Sequence, residues 1–388
     1  MKIIHSSDWH LGRTLHGVEL LEYQAGYLDH LVELVRESRP DALLVAGDIF
    51  DRAIPPVEAV RLLSDTLRRL AGLTQVVITS GNHDSAARLG YGAAVMRSDL
   101  HVVTNIAQVG TPVEIVKDAR LAGLVYPLPF LVVDEAVEQW SSEAEPLPRS
   151  HEAVLSRAMA LVRADAAKRM PVRPVPVAVM AHAFVSGGKP SESERDITVG
   201  GVDSVSASVF AGVDYLALGH LHRPQRVETG NPAEVARYAG SPLAYSFSEA
   251  GQQKSSVIVE LGGAQPRVEL VPAPVPRKLG EVSGSLAELS DPALDPLRDC
   301  WMRVQITDAV RPQHLTQAVK QLFPQVLLIQ HSPPERESVR ISRVTSALDP
   351  LAVAGEFIEY VSASPPTEPQ LTALRDALET VRDQGSQQ

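Results

Sequence analysis

Lys2-Ile3-Ile4-His5-Ser6-Ser7-Asp8-Trp9-His10 decides the reading of this chain, because an apolar, strand-forming run stops in a carboxylate and an imidazole two residues apart. The same arrangement recurs four times. Ala42–Ala46 runs into Gly47-Asp48-Ile49-Phe50-Asp51, and Gln75–Thr79 leads to Gly81-Asn82-His83-Asp84. The apolar run 177–181 ends at His182, and 215–218 ends in Gly219-His220-Leu221-His222. In open α/β folds ligands gather at the carboxyl ends of strands, where all five clusters fall. Glycine before Asp48, Asn82 and His220 fits tight turns that bring backbone and side chain close to a bound ion.

Between the clusters the period changes. Residues 19–37 carry apolar side chains at helical spacing (Leu20, Leu21, Leu28, Leu31, Leu34, Val35), and Val57–Leu70 does the same. The βαβαβ opening predicts a layered α/β domain with a largely buried sheet. Further strands are expected at 121–126 and 256–261, and a helix at 152–168. Residues 186–208 read as a long Gly/Ser-rich loop near the site, with its charged stretch 191–196 solvated. Pro266, Pro272, Pro274 and Pro276 then break the pattern and mark a domain boundary. Beyond it, Trp301–Ile306, 312–322 and 326–330 read as a strand–helix–strand unit, followed by helices at 351–361 and 368–382. The expected domains are 1–275, 276–345 and 346–388.

At 388 residues, two or more domains are the prior. A hydrophobic content of 44% and a charged content of 21% are those of a globular protein. No apolar run reaches membrane-spanning length, and the N-terminus shows no signal-peptide pattern. Cys300 is the one cysteine, so no intramolecular disulfide can form, and a cytoplasmic setting is expected. The net charge of −11 gives no basic footprint for nucleic acid, though bound cations would add local positive charge.

Asp8, His10, Asp48, Asn82, His182, His220 and His222 together offer carboxylates, one amide oxygen and four imidazoles. Seven ligands exceed one tetrahedral ion and suit two ions bridged by a shared carboxylate. The mixed oxygen and nitrogen set favours manganese, iron or zinc over calcium. Such a pair stabilises the entering and leaving oxygens of a displacement at phosphorus and makes hydroxide available at neutral pH. His83, beside Asn82, is the candidate for protonating or stabilising the leaving oxygen. Each cluster alone has a plainer reading: a solvated turn at Asp8, a helix N-cap at Asp48, a β-turn at Asn82, a structural histidine at His182. Their order and their shared place at strand ends favour metal. His5, His30, His101, His151, His314 and His331 have no ligand company, whereas His16 follows the first motif closely and could approach a substrate.

The pattern D-x-H, G-D-x-x-D, G-N-H-D, H and G-H-x-H resembles the calcineurin-like metallophosphoesterase superfamily. Ser6-Ser7-Asp8-Trp9-His10-Leu11-Gly12, Gly47-Asp48-Ile49-Phe50-Asp51 and Gly219-His220-Leu221-His222-Arg223-Pro224-Gln225 narrow the resemblance to bacterial nuclease subunits. Those subunits work with an SbcC-type ATPase in DNA double-strand-break processing. The resemblance implies a layered α/β fold: a β-sandwich metallophosphoesterase core flanked by helices, a smaller α+β capping domain and C-terminal helices that dock the ATPase. It places Asp8, His10 and His222 on one ion, Asn82, His182 and His220 on the other, and Asp48 between them. His83 would be the catalytic histidine, with Asp84 its orienting partner and Asp51 near the site. Two divalent ions, Mn2+ above all, are implied as cofactors, DNA as substrate, and a homodimer within a heterotetramer as assembly, with Val57–Leu70 a possible dimer face. The alternative is a phosphatase or small-molecule phosphodiesterase of the same superfamily. Gly47-Asp48 with Asp51-Arg52 resembles the serine/threonine phosphatases. Those enzymes continue with glycine where Ala53 stands, end the third motif in glutamate rather than Asp84, and lack the local Gly-His-x-His pair.

Overall fold

Every strand that leads into a polar cluster is present in the computed structural model, which describes residues 1–169, 174–194, 204–263, 265–275, 277–334, 349–362 and 365–385. The chain divides into two units, Met1–Leu279 and Gly280–Gln388. The first opens with β1 (Lys2–Ser6), a hairpin of β2 (Thr14–Leu15) and β3 (Val18–Glu19), α1 (Leu21–Ser38), β4 (Ala42–Ala46) and α2 (Val57–Leu70). Then come β5 (Gln75–Thr79), the single turn α3 (Ala86–Leu89), β6 (Leu100–Val103), β7 (Val113–Lys117), β8 (Arg120–Pro127) and α4 (Val133–Trp140). It closes with α5 (His151–Arg169), β9 (Val177–His182), β10 (Tyr215–Gly219), β11 (Gln225–Val227), β12 (Val235–Tyr238), β13 (Ser255–Glu260) and β14 (Arg267–Pro272).

The strands form two six-stranded sheets, ordered β14-β13-β1-β4-β5-β6 and β11-β12-β10-β9-β8-β7. β1, β4, β5 and β6 run parallel, as do β8, β9, β10 and β12. Side-chain alternation accounts for the layering. In β4, Ala42, Leu44 and Ala46 join Ile3, Ala178 and Met180 in the core between the sheets, while Leu43 and Val45 face outward beneath α1 and α2. On the second sheet, Tyr126 and Val179 face Val154, Ala158 and Met159 of α5. Central strands covered on both faces read as unbroken apolar runs. The first unit is thus a β-sandwich flanked by helices, as the family resemblance implies.

The differences have local causes. α1 begins at Leu21 because Glu19 and Val18 pair with Thr14 and Leu15 in the hairpin. The structure adds β6, β7, β11, β12, β14 and α4. β14 is an edge strand with mostly exposed residues, so no apolar alternation announces it.

One polar pair lies inside the sandwich: His5 Nδ1 sits 2.9 Å from the Tyr215 hydroxyl, both side chains fully buried. Burial, aided by the charge of Arg237, pushes the His5 pKa from 6.5 down to about 3. The unfolded ring takes up a proton below about pH 6.5, the folded ring not until about pH 3. Stability carried by the neutral ring is therefore complete above 6.5 and is lost as pH falls toward 3. In urea titrations at pH 7 and pH 5, the parent should lose about 2 kcal/mol more than His5→Asn. Equal losses in the two proteins would mean that His5 titrates alike in both states.

The second unit carries β15 (Leu279–Gly284), β16 (Trp301–Ile306) and β17 (Val326–His331), in that order, and α6 (Leu315–Leu322). Met302, Val304 and Ile306 pack against Leu315, Val319 and Phe323. β16 and β17 are parallel, which gives the expected strand–helix–strand unit, and β15 adds a third strand. α6 begins at Leu315 because His314 takes a left-handed backbone, φ 53°. The C-terminal helices α7 (Pro350–Ser362) and α8 (Glu368–Gly385) pack on each other. Among the described residues no helix is long and apolar enough to cross a membrane.

Candidate metal centre

At one edge of the sandwich the carboxyl ends of β1, β4 and β5 meet those of β9 and β10. His182 Nδ1 from the second sheet donates to the Ala46 carbonyl of the first at 3.0 Å. A Cβ at Gly219 would run into that same carbonyl oxygen, and one at Gly47 into the His182 ring. Glycine at these two positions lets the sheets close on each other. Four expected ligands sit on backbone that L residues rarely adopt, with φ 53° at Asp8, 44° at His10, 50° at Asp48 and 102° at His220. Strain of this kind persists where surroundings enforce it. Here the Asp8 amide bonds Gly47 O at 3.1 Å and the His10 amide bonds Asp48 O at 2.9 Å. The Gln24 side-chain amide grips the Trp9 and His10 carbonyls at 3.0 and 2.7 Å.

This backbone aims the side chains at a common point. Asp48 Oδ2 lies 3.5 Å from His10 Nε2, 3.4 Å from His182 Nε2 and 3.9 Å from His83 Nε2. His10 Nε2 faces His222 Nε2 at 3.0 Å, and His182 Nε2 faces Asn82 Oδ1 at 2.9 Å. Three groups of donors result: Asp8, His10 and His222; Asp8, Asp48 and His182; and His10, Asp48 and His83, all buried. Ligand atoms that share an ion with bonds of about 2.1 Å stand roughly 3 Å apart. The spacing here fits that, and the carboxylate, imidazole and amide donors suit a borderline divalent ion. Groups that overlap through Asp8 and Asp48 suit more than one. His220 stands apart from all three groups: its amide donates to Asp8 Oδ1 at 2.9 Å, and its ring packs edge-on against His182 at 5.4 Å.

Charge points the same way. Burial pushes Asp8 up to about 6, against the pull of His182 and His222. Burial would raise Asp48 too, but the His182 and His10 imidazoles hold its carboxyl well below the usual range. Burial opposes charge on His182, yet Asp48 raises its pKa to about 9. His10 and His220 are pushed down by burial, His220 to about 3. The buried Asp48 carboxylate thus favours positive charge beside it, as a proton on His182 or as a bound cation. Cation binding would displace that proton.

Several residues make contacts that the sequence does not announce. Asp84 is engaged by backbone amides. Its carboxylate accepts from the amides of Ile49 (3.0 Å), Phe50 (2.9 Å) and Gly81 (2.9 Å), which ties the Asp48 loop to the Asn82 loop. Burial and the nearby Asp48 charge push Asp84 up to about 7 against those three donors. His83 is oriented by the Asp51 carbonyl, to which Nδ1 donates at 2.7 Å. The Asp51 carboxylate lies 3.8 Å from His10 Nδ1 and 3.5 Å from Arg13, whose guanidinium covers the Tyr245 ring. The stretch 191–196 is not simply solvated: Ser193 is buried against His222 Nδ1, and Glu194 accepts from the His222 amide at 2.7 Å. Residues 195 and 196 lie outside the described residues. His16 is exposed, stacks at a tilt on Phe247, and joins none of the three groups.

Two family models match the chain. Residues 1–224 match the calcineurin-like phosphoesterases, and residues 275–362 match SbcD_C, the type 5 capsule protein repressor C-terminal domain. The first match spans more than half of the sequence, so the chain belongs to the calcineurin-like phosphoesterases and is an enzyme of phosphoester chemistry. The domain that follows makes it an SbcD-like member of that family. Similar solved structures include TT1561 of Thermus thermophilus, 14% identical, covering 69% of this chain and 98% of that one at a TM-score of 0.40. A dimetal phosphatase from Danio rerio, LOC 393393, is 13% identical, covering 71% and 97% at 0.44. At those scores the assignment rests on the two family matches.

Proposed function

We propose that this SbcD-like enzyme is a metal-dependent DNA nuclease that processes double-strand breaks with an SbcC-type ATPase. It acts as a 3′→5′ exonuclease on duplex ends and as an endonuclease on single strands and hairpins. The observation that carries the reading is the joining, in one chain, of the centre around Asp48 to the SbcD_C domain. Asp8, His10 and His222 would hold one ion and Asn82, His182 and His220 the other, with Asp48 shared between them; manganese suits this mixed donor set. Bound there, a pair of divalent ions supplies activated water at neutral pH and offsets charge at phosphorus. The protein's own groups do the positioning. The Ala46 carbonyl fixes His182 with Nδ1 protonated and Nε2 turned inward. The Asp51 carbonyl likewise anchors His83 at Nδ1, and Nε2 of the ring in its imidazolium form would pass a proton to the departing 3′ oxygen.

DNA is held mainly through phosphates, so binding weakens with salt and shows little sequence preference. The exposed Phe357, Tyr360 and Val361 of α7 support docking of the C-terminal helices on the ATPase. Exposed Val57 and Val60 of α2 support a homodimer, two copies entering a cytoplasmic heterotetramer. Digestion of end-labelled duplex and hairpin DNA, with manganese, magnesium or chelator and beside a phosphodiester chromogen, tests the reading. Metal-dependent release of nucleotides is expected. Chromogen hydrolysis with intact DNA, even with an SbcC-type ATPase and ATP present, would move the substrate to the phosphatase alternative.

A further inference from the structure

An imidazole offers a lone pair at one nitrogen only while the other carries the proton, so whatever bonds the second nitrogen selects the ligand atom. At His182 a backbone carbonyl makes that choice. At His222 the partner of Nδ1 is a side chain, Ser193 Oγ, at 2.5 Å. A hydroxyl can donate or accept, so the serine alone leaves the tautomer open. Glu249 closes it. Its Oε1 also bonds Ser193 Oγ, and a carboxylate can only accept. The serine proton goes to Glu249, the serine oxygen accepts from His222 Nδ1–H, and the free lone pair lies on Nε2, which faces His10 Nε2 at 3.0 Å.

Glu249 in turn pairs with Lys254, their side chains 0% and 2% exposed. Lys254 Nζ also donates to the His222 carbonyl at 2.7 Å and to Ser241 Oγ at 3.0 Å. A buried ion pair adds little net stability over apolar replacements of the same shape. Folding alone is therefore a weak reason for this one, and from each end of the pair a contact leads to the same histidine, through Ser193 from Glu249 and directly from Lys254. His222 is held at its amide by Glu194, at its carbonyl by Lys254 and at Nδ1 by Ser193. Nε2 alone is left to face the centre.

We propose that Lys254, Glu249 and Ser193 form a positioning relay that fixes the tautomer of His222 and thereby commits Nε2 to the metal. The relay rests on the reading of His222 as a ligand. It predicts that the Ser193 hydroxyl controls the affinity of one of two ions without controlling the fold. Ser193→Ala removes the acceptor and leaves the Glu249–Lys254 pair in place, whereas Ser193→Thr keeps a hydroxyl. Metal-free parent, both variants and His222→Ala are titrated with Mn2+ by calorimetry, and each is melted in chelator. Ser193→Ala should bind one ion about 10- to 100-fold more weakly, with Ser193→Thr close to the parent and the melting temperature in chelator unchanged. If Ser193→Ala binds both ions as the parent does while His222→Ala loses one, the relay is refuted and the ligand survives. If His222→Ala also keeps both ions, the ligand reading fails and takes the relay with it. A Ser193→Ala protein that melts earlier in chelator but binds Mn2+ normally would make the contact structural, and the relay would again be wrong.

Discussion

Asp48→Ala is expected to lose turnover on DNA by on the order of 10⁴-fold or more, and to lose bound metal with it. Asp48 Oδ2 lies within 4 Å of three imidazole nitrogens, those of His10, His182 and His83. Its Oδ1 accepts from the His83 amide at 2.9 Å, so the same carboxylate also shapes the Asn82 loop. Removing it leaves His10, His182 and His83 without the anion they share. Asp48→Asn separates the two roles, because it can keep an acceptor for the His83 amide while discarding the charge. If the shared anion matters most, the asparagine variant should be nearly as inactive as the alanine variant while melting closer to the parent. Elemental analysis alongside single-turnover digestion checks both. An alanine variant that retains two ions and acts within tenfold of the parent would dismantle the bridging assignment.

His83→Ala should lower turnover by about 10²- to 10⁴-fold while metal content stays at the parental level. The ring is nearly buried and anchored at Nδ1, so Nε2 has a fixed direction. It also belongs to a close group with His10 and Asp48, a placement a metal ligand would share. Metal content therefore discriminates between the roles. Lost activity with both ions present supports proton delivery to the leaving oxygen, whereas loss of an ion would turn His83 into a ligand. Near-parental rates would remove it from the chemistry.

The strands were legible because both of their faces are covered, which leaves unbroken apolar runs such as Ala42–Ala46 ending at a glycine. The clusters were legible because carboxylates and imidazoles at strand ends are costly to bury without a purpose. Asp84 shows where that legibility stops. The resemblance offers it as an orienting partner of His83, and nothing in the sequence shows that the loop turns its carboxylate toward three amides. Ser193, Glu249 and Lys254 were invisible for a related reason: each lies in a polar stretch whose burial depends on tertiary packing around His222. The backbone at Asp8, His10 and Asp48 was not read from the sequence either: Asp and His take left-handed conformations more often than most residues, but only the tertiary contacts show where they do so. β14 escaped because an exposed edge strand needs no apolar pattern.

The proposed donors come from both halves of the sandwich, Asp8, His10, Asp48 and Asn82 from one sheet and His182, His220 and His222 from the other. Mechanically, an ion seated among them is a rivet through two plates. Sliding one sheet across the other would stretch its bonds before it disturbed the apolar layer, which tolerates slip far better than a coordination shell does. Occupancy then registers as stiffness along the shear direction. At free metal a hundredfold above the dissociation constant it registers also as about 2.7 kcal/mol of added resistance to unfolding. Loss of metal would thus loosen the joint between the plates as well as halt the chemistry.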